Sequence, residues 1–459
     1  MTVFSTSDLS DTTAIILAAG LGTRMVSSLP KVLHPILGRP MVAHVASTVK
    51  EAGISDVVAV IGPEGGMVSD VLGPVPTAIQ HERLGTAHAV LQARPCMHEG
   101  SPGMVLVLYG DTPLLEVDTL RQVIQAHISA CAGVTVLGFR ASNPAGYGRL
   151  VMGGDGFLQR IIEDRDATPE EACITLCNSG VMAIDRLKVW EWLSRVGTGN
   201  KKGEYYLTDL VAIARADEAR CVVVEGDRAE VVGVNSRGDL AACEAIAQDR
   251  MRAAALDQGV TLVDPRSVYF SWDTRLGSDV TIYPGAILGP GVTIGDRVVI
   301  KGFCHLESCS VSDDVVIGPY ARVRPGTSLA QGARIGNFVE VKNATIGAGA
   351  KVNHLSYIGD ADIGCQVNIG AGAITCNYDG HTKSRTEIED GAFIGSNTAL
   401  VAPIRVGEGA LVGAGSTLTE PVPAGALAVS RTQQRTVENG ATHFHERRRE
   451  QALKTEQKA

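Results

Sequence analysis

Residues 282–306, IYPGAILGPGVTIGDRVVIKGFCHL, place an aliphatic side chain at every sixth position, and Gly often follows it. This period fits neither an α-helix, with about 3.6 residues per turn, nor a plain alternating strand. It favours a parallel β-helix, in which three short strands form one triangular coil around inward-pointing aliphatic side chains. We therefore predict a left-handed parallel β-helix of hexapeptide repeats over residues 260–430. The repeat positions are Ile282, Leu288, Ile294, Ile300, Leu306, Val311, Ile317, Val323, Leu329, Ile335, Val341, Ile346, Val352, Ile358, Ile363, Ile369, Thr375, Ile394, Leu400, Val406, Val412 and Leu418.

The repeat has one interruption and two flanking segments. Residues Cys376–Glu387 (CNYDGHTKSRTE) contain no repeat residue, and we expect them to loop out of the coil. Loops that project from a regular scaffold often carry function. Before the β-helix, the Ala-rich and charged residues 238–259 predict a linker helix. After it, residues 431–459 form a polar C-terminal tail that we expect to be mobile.

The first half of the chain, residues 1–237, has a different pattern. The apolar runs Ala14–Ala19, Val57–Ile61 and Met104–Leu108 alternate with helix-like stretches such as Pro40–Gly53. Continuous apolar strands that alternate with helices are typical of a mostly parallel sheet that is covered on both sides. We predict a Rossmann-like α/β domain over residues 1–237, with ligands bound beyond the carboxyl ends of its strands.

Composition limits the possible classes of function. The chain has 459 residues and a formal net charge of −9, which argues against general nucleic-acid binding. No apolar run approaches the roughly 18 residues that a membrane span needs. The 10 cysteines are scattered without a CxxC pair, which suits a reducing compartment better than a disulfide framework or a zinc site. We expect a cytoplasmic protein with no nucleic-acid partner and no membrane insertion.

A Gly-rich segment, LAAGLGTR (residues 17–24), follows the first apolar run. Small residues let the backbone approach a ligand, successive N–H groups can bind phosphate, and Arg24 and Lys31 add positive charge. An ordinary tight turn would have the same pattern, and the segment is not a Walker A loop because GxxxxGK[ST] is absent. Asp111 stands just after the run Met104–Leu108. It is either a ligand for a hard cation such as Mg²⁺ or a turn-forming residue.

The motifs are more specific in combination. LAAGLGTRM (residues 17–25) together with LPKVL (residues 29–33) resembles the signature of the sugar-1-phosphate nucleotidyltransferases. With its hexapeptide half, the sequence from about residue 13 to about residue 431 resembles the family of bifunctional bacterial N-acetylglucosamine-1-phosphate uridyltransferases/glucosamine-1-phosphate N-acetyltransferases. The resemblance implies that acetyl-CoA acetylates glucosamine-1-phosphate. UMP is then transferred from UTP to N-acetylglucosamine-1-phosphate, which gives pyrophosphate and UDP-N-acetylglucosamine for peptidoglycan and lipopolysaccharide synthesis.

The resemblance also implies the residues of a uridyltransferase site. Asp111 and Asn235 would hold one Mg²⁺, and Arg24 and Lys31 would be catalytic because they neutralise phosphate charge. Leu21 departs from the family pattern A-G-K-G-T-R and removes one cation near the phosphates. The residues implied for the uracil and ribose are Leu17, Ala18, Ala19, Gly20, Gln80, Gly85 and Thr86. Those implied for the N-acetylglucosamine moiety and its cleft are Tyr109, Gly110, Gly146, Glu163 and Asn178.

An acetyltransferase site is implied in the β-helix half. His354 would be the general base that takes the proton of the attacking amine. Independently of the resemblance, Arg324 and Lys342 are 18 residues apart, and coils of about 18 residues would stack them as a phosphate-binding pair. Without the resemblance, these residues could equally be a surface histidine and solvated charges. The residues implied for the sugar phosphate are Arg324, Lys342, Tyr357 and Asn368. Those implied for acetyl-CoA are Ala371, Asn377, Tyr378, Ser396, Ala414 and Arg431.

Two other functions remain open from the sequence. In a single-activity nucleotidyltransferase the β-helix would only oligomerise or regulate, and it would need neither His354 nor the extruded loop. A sugar-nucleotide-binding scaffold without catalysis would lack the metal and phosphate ligands, but Arg24, Lys31, Asp111 and Asn235 are present. The resemblance further implies a homotrimer that assembles through the β-helix, with acetyl-transfer sites between subunits.

Overall fold

The computed structural model describes residues 9, 11–97 and 102–456. Residues 1–8, 10 and 98–101 of the predicted α/β domain, and residues 457–459 of the predicted tail, lie outside the described residues. The chain divides into two compact units. The first unit comprises Met1–Gln258, Tyr269–Thr274 and Leu288–Pro290. The second unit comprises Gly259–Val268, Arg275–Ile287 and Gly291–Ala459.

A nine-stranded, mostly parallel sheet forms the centre of the first unit. The strands of this unit are β1 (Thr12–Ala18), β2 (Pro35–Ile36), β3 (Arg39–Pro40), β4 (Asp56–Ile61), β5 (Thr77–Ile79), β6 (Met104–Tyr109), β7 (Val134–Arg140), β8 (Arg149–Met152), β9 (Leu158–Ile162), β10 (Leu176–Asp185) and β11 (Cys221–Glu225). The order across the sheet is β11-β7-β10-β6-β1-β4-β5, with β8 and β9 paired beside β10 and with β2 and β3 as a separate ribbon. Strand β10 is antiparallel to both of its neighbours in this order, β6 and β7. The three predicted apolar runs correspond to β1, β4 and β6 at the centre of the sheet.

Helices cover both faces of this sheet, as predicted. Alternate residues of β1 contribute to two separate cores, Ile15 and Leu17 to one and Ala14 and Ile16 to the other. Helices α3 (Thr86–Gln92), α6 (Val189–Leu193) and α7 (Leu210–Ala216) pack into the first core, and α1 (Met41–Glu51), α2 (Gly66–Leu72) and α4 (Val117–Ser129) pack into the second. Each fully buried aliphatic side chain contributes about 1.5–3 kcal/mol. The helices are α1 (Met41–Glu51), α2 (Gly66–Leu72), α3 (Thr86–Gln92), α4 (Val117–Ser129), α5 (Pro169–Ala172), α6 (Val189–Leu193), α7 (Leu210–Ala216), α8 (Arg237–Asp257) and α9 (Gly440–Glu456).

Parallel coils of short strands form the second unit. One face of the coils comprises Thr261–Leu262, Thr281–Ile282, Val299–Ile300, Val316–Ile317, Arg334–Asn337, Lys351–His354, Asn368–Ile369, Phe393–Ile394, Leu411–Val412 and Leu427–Ala428. The other faces comprise Arg275–Leu276, Ile287–Leu288, Thr293–Ile294, His305–Leu306, Cys309–Val311, Arg322–Val323, Thr327–Leu329, Glu340–Ile346, Tyr357–Ile363, Ile374–Cys376, Thr386–Ile388, Ala399–Val401, Ile404–Val406 and Thr417–Leu418. Ile287–Leu288 spans the boundary between the two units.

The six-residue period explains how the coils pack. Most strands of neighbouring coils pair with an offset of 17 or 18 residues, for example Thr281 with Val299 and Val299 with Val316. Every repeat position named in the sequence analysis is buried, with at most 6% of its surface exposed. Thr375 replaces an aliphatic residue because its hydroxyl oxygen accepts the N–H of Gly359 at 2.8 Å inside the coil. The predicted parallel β-helix is therefore confirmed.

The interruption of the repeat is a loop, but it is shorter than predicted. Cys376 ends the strand Ile374–Cys376, and Thr386 begins the strand Thr386–Ile388. Thr386 is fully buried and pairs with Ala361 on the preceding coil, which draws the end of the predicted loop back into the coil. The extruded loop therefore comprises residues 377–385.

The segments that flank the β-helix are helical. Helix α8 begins at a capping box, in which Ser236 accepts the N–H of Asp239 and the Asp239 side chain accepts the N–H of Ser236. It occupies the predicted linker residues and belongs to the first unit. The tail, which we expected to be mobile, contains helix α9, because residues 440–456 are rich in Glu, Arg and Ala and contain no Pro. Across the described part of the chain, no helix combines the length and apolarity that a membrane span requires.

Candidate active sites

A cleft of about 320 Å³ lies at the carboxyl ends of β1, β5 and β6 in the first unit. Leu17 and Ala18 end β1, Gln80 follows β5, and Tyr109 ends β6. Ligands of parallel sheets bind at this edge. The residues of the predicted uridyltransferase site that line the cleft are Leu17, Ala18, Ala19, Gly20, Lys31, Gln80, Gly85, Thr86, Tyr109, Asp111 and Asn235.

The turn after β1 brings Lys31 close to the Gly-rich segment. Gly22 has a φ of +61°, and a Cβ atom there would lie 2.5 Å from the Cβ atom of Lys31. Gly satisfies both the left-handed backbone and the close approach. The Gly-rich pattern in this turn therefore positions a cation as well as leaving space for a ligand.

Lys31 lies between the two predicted metal ligands. Its ammonium group forms an ion pair with Asp111 and lies 3.3 Å from Oδ1 of Asn235. The Val234 N–H donates to the carbonyl oxygen of Asp111 at 2.9 Å, which ties these two segments together. Two oxygen donors that converge on one cation fit Mg²⁺, which binds one or two protein side chains together with substrate phosphates. Within the described ranges, no group of three or more His, Cys, Asp or Glu side chains could hold a metal ion.

The residues predicted to bind the sugar meet beside Tyr109. Gly180 lies in a bulge of β10 with a φ of +94°, and a Cβ atom there would lie 2.6 Å from the Tyr109 ring. The side-chain oxygen of Asn178 accepts the N–H of Gly180 at 2.9 Å. Burial, and then the charges of Glu163 and Asp111, raise the pKa of Tyr109. Tyr109 therefore stands between the sugar-binding candidates and the metal-binding candidates.

The hydroxyl group of Thr208 holds the Glu163 carboxylate. Oε1 of Glu163 accepts the Thr208 hydroxyl at 3.1 Å. Burial raises the pKa of Glu163, and the bond from Thr208 opposes this shift. A carboxylate that accepts hydrogen bonds suits the hydroxyl groups of a sugar.

The positions of two cationic side chains, Arg24 and Arg83, differ from the prediction for the cleft. Arg24 is exposed and is not among the residues that line the cleft, and Leu21 is 59% exposed. Arg83, which the sequence analysis missed, does line the cleft and donates from Nε to the carbonyl oxygen of Ala19 at 2.7 Å. Lys31 and Arg83 are therefore the cationic side chains that this structure places at the cleft.

Gly110 and Gly146 act through their backbones. The N–H of Gly110 donates to the carbonyl oxygen of Leu17 at 2.9 Å and joins β6 to β1. Arg149, which is almost fully buried, bonds to Asp164 at 2.8 Å. The bond from Arg149, together with the N–H of Gly146, lowers the pKa of Asp164, the residue after Glu163. Neither glycine lines the cleft itself.

The second candidate site begins with a cluster of cations on the β-helix. Val323 pairs with Val341 on the next coil, so Arg324 and Lys342 lie side by side, as their spacing predicts. Lys342 also contacts Lys383 of the extruded loop, and this contact, followed by the charges of Lys383 and Arg324, lowers the pKa of Lys342. Like charges this close favour the binding of an anion.

His354 has a defined partner one coil away. Asn337 and His354 are paired across neighbouring strands, and Nδ1 of His354 lies 2.8 Å from Oδ1 of Asn337. An amide oxygen only accepts, so Nδ1 donates its proton and Nε2 keeps a lone pair. The His354 side chain is exposed. This is the arrangement that a general base needs.

The predicted acetyl-CoA residues continue from His354 in a straight column. Val352 pairs with Ile369, Ile369 with Ile394, and Ile394 with Val412. Coils are separated by about 4.8 Å, so the column is about 14 Å long. The column consists of the residues two positions after these paired residues, one on each coil. They are His354, Ala371, Ser396 and Ala414. Arg431 continues the column, because its Nη1 donates to the carbonyl oxygen of Ala414 at 2.6 Å.

Asp360 holds the root of the extruded loop. Its two carboxylate oxygens accept the side-chain N–H groups of Asn343, at 2.5 Å, and of Asn377. Burial raises the pKa of Asp360, but these bonds and the charges of Lys383 and Lys342 outweigh burial, and the pKa is lowered. Asn377, which was predicted to contact acetyl-CoA, is therefore buried and engaged in the anchor of the loop.

The remaining predicted residues of this site differ in exposure. The Tyr357 hydroxyl lies over Gly359, where a Cβ atom would be 2.4 Å from it. Tyr378 is 60% exposed in the extruded loop, and its hydroxyl donates to the carbonyl oxygen of Gly380 at 2.6 Å. Asn368 is half-buried and pairs with Lys351 on the preceding coil.

Comparisons with known proteins agree with two linked transferase units. Residues 14–167 match the MobA-like NTP transferase domain, residues 273–307 the bacterial transferase hexapeptide (six repeats), and residues 385–420 the hexapeptide repeat of succinyl-transferase. The bifunctional protein GlmU of Paramagnetospirillum magneticum is 55% identical over 445 residues, which cover 97% of this chain and 98% of the relative. GlmU of Azorhizobium caulinodans is 54% identical over 431 residues, 93% of this chain and 96% of the relative. GlmU of Zymomonas mobilis is 45% identical over 441 residues, 95% of this chain and 98% of the relative.

The chain belongs to the GlmU family of bifunctional proteins. As a GlmU, it is a bifunctional transferase of UDP-N-acetylglucosamine biosynthesis, with a uridyltransferase domain and a hexapeptide acetyltransferase domain. The hexapeptide matches identify its parallel coils as a left-handed β-helix. The predicted family, fold class and enzyme class are confirmed, and the single-activity and scaffold alternatives are wrong.

The structure also contains side chains that the sequence analysis missed. Asn337 precedes His354 by 17 residues, and Asp360 lies 17 residues after Asn343 and 17 before Asn377. The offset between coils is therefore a signal that could have found them. Lys383 and Arg83 carry no such signal, because both lie in loops whose path the period does not determine.

Proposed function

We propose that the two activities use the two sites described above, with acetylation of glucosamine-1-phosphate first and uridylyl transfer to N-acetylglucosamine-1-phosphate second. The observation that carries this assignment is the Asn337–His354 hydrogen bond, which leaves Nε2 of an exposed histidine free at the head of the column. A β-helix that served only as a structural support would need no such arrangement.

In the first site, positioning and charge neutralisation provide catalysis. A phosphate oxygen of N-acetylglucosamine-1-phosphate attacks the α-phosphorus of UTP, and pyrophosphate leaves. The attacking oxygen is already ionised, so no general base is needed. Leu17, Ala18, Ala19, Gly20, Gln80, Gly85 and Thr86 bind the uridine part. Lys31 neutralises the triphosphate inside the cleft, and Arg24, which is exposed, adds positive charge to the same phosphates.

Asp111 and Asn235 would hold one Mg²⁺. When bound, Mg²⁺ supplies positive charge to the phosphates of UTP. The convergence of both oxygens on the Lys31 ammonium supports this assignment, because it marks a point that favours a cation. Lys31 must leave this point and move toward the phosphates when the site is filled.

The sugar of N-acetylglucosamine-1-phosphate lies beside Tyr109. Glu163 accepts hydrogen bonds from its hydroxyl groups, the amide of Asn178 donates to its polar oxygens, and Gly146 and Gly110 leave room for it. The hydrogen bond from Thr208 keeps the Glu163 carboxylate oriented.

In the second site, Arg324 and Lys342 bind the phosphate of glucosamine-1-phosphate, and Tyr357 and Asn368 position its sugar. The amine attacks the acetyl carbon of acetyl-CoA, so that a C–N bond forms and the C–S bond of the thioester breaks. Nε2 of His354 takes the proton of the amine and returns it to the departing thiolate of CoA. No covalent acetyl-enzyme is required.

Acetyl-CoA lies along the column that begins at His354. Ala371, Ser396 and Ala414 offer backbone groups and small side chains on successive coils, and Tyr378 and Arg431 flank them. Asn377 contributes by holding the loop through Asp360. The length of the column, about 14 Å, suits an extended ligand such as the pantetheine arm of CoA.

We further propose a homotrimer whose neighbouring subunits close the acetyl-transfer site. Three exposed aromatic rings, Phe303, Tyr320 and Phe338, stack along one corner of the β-helix at centroid distances of 5.1 and 5.2 Å. Leu355, which is 62% exposed and follows His354, continues this apolar ladder. An exposed apolar ladder beside an exposed catalytic histidine favours a second copy of the chain as its cover.

A cytoplasmic location is also proposed. The 10 cysteines are all free, and four of them, Cys96, Cys131, Cys173 and Cys365, are exposed. Free exposed thiols persist in a reducing compartment. UTP and acetyl-CoA are supplied in the same compartment.

Two variants of the full chain test the assignment of the sites. We expect His354→Asn to lower CoA thiol release from acetyl-CoA and glucosamine-1-phosphate by at least about 100-fold. Pyrophosphate release from UTP and supplied N-acetylglucosamine-1-phosphate should be unchanged. Asp111→Asn should lower pyrophosphate release and leave CoA thiol release unchanged. Thiol release at the wild-type rate in His354→Asn would show that His354 is not the general base.

A further inference from the structure

Gln80 is held by two acceptors in the wall of the uridyltransferase cleft. It is 4% exposed and lines the cleft. Its side-chain nitrogen Nε2 lies 3.1 Å from the carbonyl oxygen of Gly85 and 3.1 Å from Nδ1 of His88. His88 lies on helix α3 and was not among the residues predicted for the site.

These contacts determine which end of the Gln80 amide faces the cleft. A carbonyl oxygen only accepts, so the group of Gln80 that faces Gly85 must be the NH₂. Its second proton then points to Nδ1 of His88, which must carry the lone pair. Both protons of the amide are used, and Oε1 of Gln80 accepts no hydrogen bond from the residues that the structure describes. Gln80 therefore offers a hydrogen-bond acceptor to a ligand in the cleft.

Gln92 lies beside the second ring nitrogen of His88. When Nδ1 of a neutral histidine accepts, Nε2 carries the proton. Nε2 of His88 lies 3.2 Å from the side-chain nitrogen of Gln92, one turn later on α3. The same nitrogen of Gln92 donates to the backbone carbonyl oxygen of His88 at 3.2 Å, which fixes the orientation of the Gln92 amide.

We propose that His88 is a positioning residue that determines the base selectivity of the uridyltransferase site by fixing the orientation of the Gln80 amide. The inference rests on the proposed function, in which Gln80 meets the uracil of UTP. Uracil carries an N–H donor at N3, whereas cytosine has an acceptor there. An acceptor fixed at Oε1 of Gln80 therefore binds the N3–H of uracil and repels the N3 lone pair of cytosine. Sites that pair with a substrate N–H reject analogues that lack it much more strongly than apolar pockets do.

The test measures kcat/KM for UTP and for CTP, with N-acetylglucosamine-1-phosphate as co-substrate, in the full chain. We expect His88→Leu to lower the UTP/CTP ratio by about tenfold or more, through a higher KM for UTP and a higher kcat/KM for CTP. His88→Asn is the conservative variant, because its side-chain oxygen can replace Nδ1 as the acceptor. It should retain most of the ratio.

A second pair of variants leaves His88 and the cleft in place. In Gln92→Lys, the new side chain can only donate to Nε2, which shifts the proton to Nδ1 and opposes the NH₂ of Gln80. The UTP/CTP ratio should fall. Gln92→Glu can only accept from Nε2 and should keep the wild-type ratio. Gln92 is partly exposed on α3, so both variants should fold.

The outcomes separate the two claims. If the wild type shows no preference for UTP over CTP, the assignment of Gln80 to the base in the proposed function is wrong. If the wild type prefers UTP but His88→Leu and Gln92→Lys keep its ratio, the role of His88 is wrong and the proposed function stands. A fall in kcat for both nucleotides without a change in their ratio would show that His88 is only structural. Acetyl transfer by the same preparations controls for the amount of folded chain.

Discussion

The ammonium group of Lys31 pairs with the carboxylate of Asp111, and only 12% and 15% of the two side chains are exposed. One candidate metal ligand is therefore neutralised by a cation of the protein itself. In this state Asp111 and Asn235 already face a positive charge. Under the proposed function, Lys31 exchanges its carboxylate partner for the phosphates of the nucleotide when the site is loaded.

The first prediction follows from this exchange. Lys31→Met should raise the affinity of the nucleotide-free chain for Mn²⁺ by about tenfold, because the metal no longer competes with an ammonium group for Asp111. The same variant should lower kcat of uridylyl transfer. Mn²⁺ titration followed by electron paramagnetic resonance measures the affinity. The control variant is Lys50→Met, because Lys50 on α1 is exposed. An unchanged Mn²⁺ affinity in Lys31→Met would contradict the competition between Lys31 and the metal for Asp111.

The partner of His354 gives the second prediction. Asn337→Ala should lower kcat of acetyl transfer by about tenfold or more, because His354 loses the acceptor that holds its Nδ1 proton. Asn337→Asp should restore the hydrogen bond and move the acid limb of the kcat profile to higher pH, since a nearby anion stabilises the imidazolium. Rates of CoA thiol release across pH 5–9 would measure both effects. Identical profiles for the wild type and Asn337→Asp would contradict this orientation of His354.

His127 gives a prediction about stability. It is buried on α4 beside the Thr135 hydroxyl, and burial lowers its pKa from 6.5 to about 4, with the charge of Asp185 opposing the shift. At a pH between about 4 and 6.5, His127 binds a proton in the unfolded chain but not in the folded chain. This histidine therefore lowers the stability of the first unit as the pH falls from above 6.5 toward 4, by up to about 3 kcal/mol.

Denaturant unfolding measures this dependence on pH. The three tryptophans, Trp190, Trp192 and Trp272, belong to the first unit, so their fluorescence follows the unfolding of that unit. In His127→Gln the unfolding free energy should depend less steeply on pH between 7 and 5 than in the wild type. Equal slopes would show that His127 is protonated without loss of the fold.

The aromatic ladder gives the fourth prediction. Phe338 is 56% exposed and stacks on Tyr320 at 5.2 Å. Phe338→Glu should convert trimers to smaller species in light scattering and lower acetyl transfer, because a buried charge opposes the subunit contact. Uridylyl transfer should be retained. Trp272, which lies in the first unit, is also exposed, and Trp272→Glu is a control of similar chemistry. A stable trimer of Phe338→Glu would place the subunit contact elsewhere.

Much of the second unit could be predicted because a parallel β-helix repeats one environment. Each repeat residue meets the same interior, so a period in the sequence translates directly into burial. The extruded loop breaks the period, and its ends could not be located because Thr375 and Thr386 are buried in the coil although they are not aliphatic. Helix α9 was missed for a related reason: its polar composition describes an exposed surface and does not distinguish an isolated helix from an irregular tail.

The candidate sites were predicted in outline only. Side chains at strand ends, such as Asp111, follow from the topology of a parallel sheet. Partners that meet across loops do not, and neither the contact of Lys383 with Lys342 nor the position of Arg83 has a sequence signature. The exposure of Arg24 likewise depends on the conformation of the turn. Orientation by hydrogen bonds, as in Gln80 and His88, requires the coordinates of both partners.

The central claim is that one chain carries two separate reaction centres joined by a diffusible intermediate. The most direct measurement mixes His354→Asn with Asp111→Asn and supplies glucosamine-1-phosphate, acetyl-CoA, UTP and Mg²⁺. Neither variant alone should form UDP-N-acetylglucosamine, and Asp111→Asn alone should accumulate N-acetylglucosamine-1-phosphate. The mixture should form UDP-N-acetylglucosamine after a lag in which the intermediate builds up. No product from the mixture, although each variant keeps its remaining activity, would contradict the account.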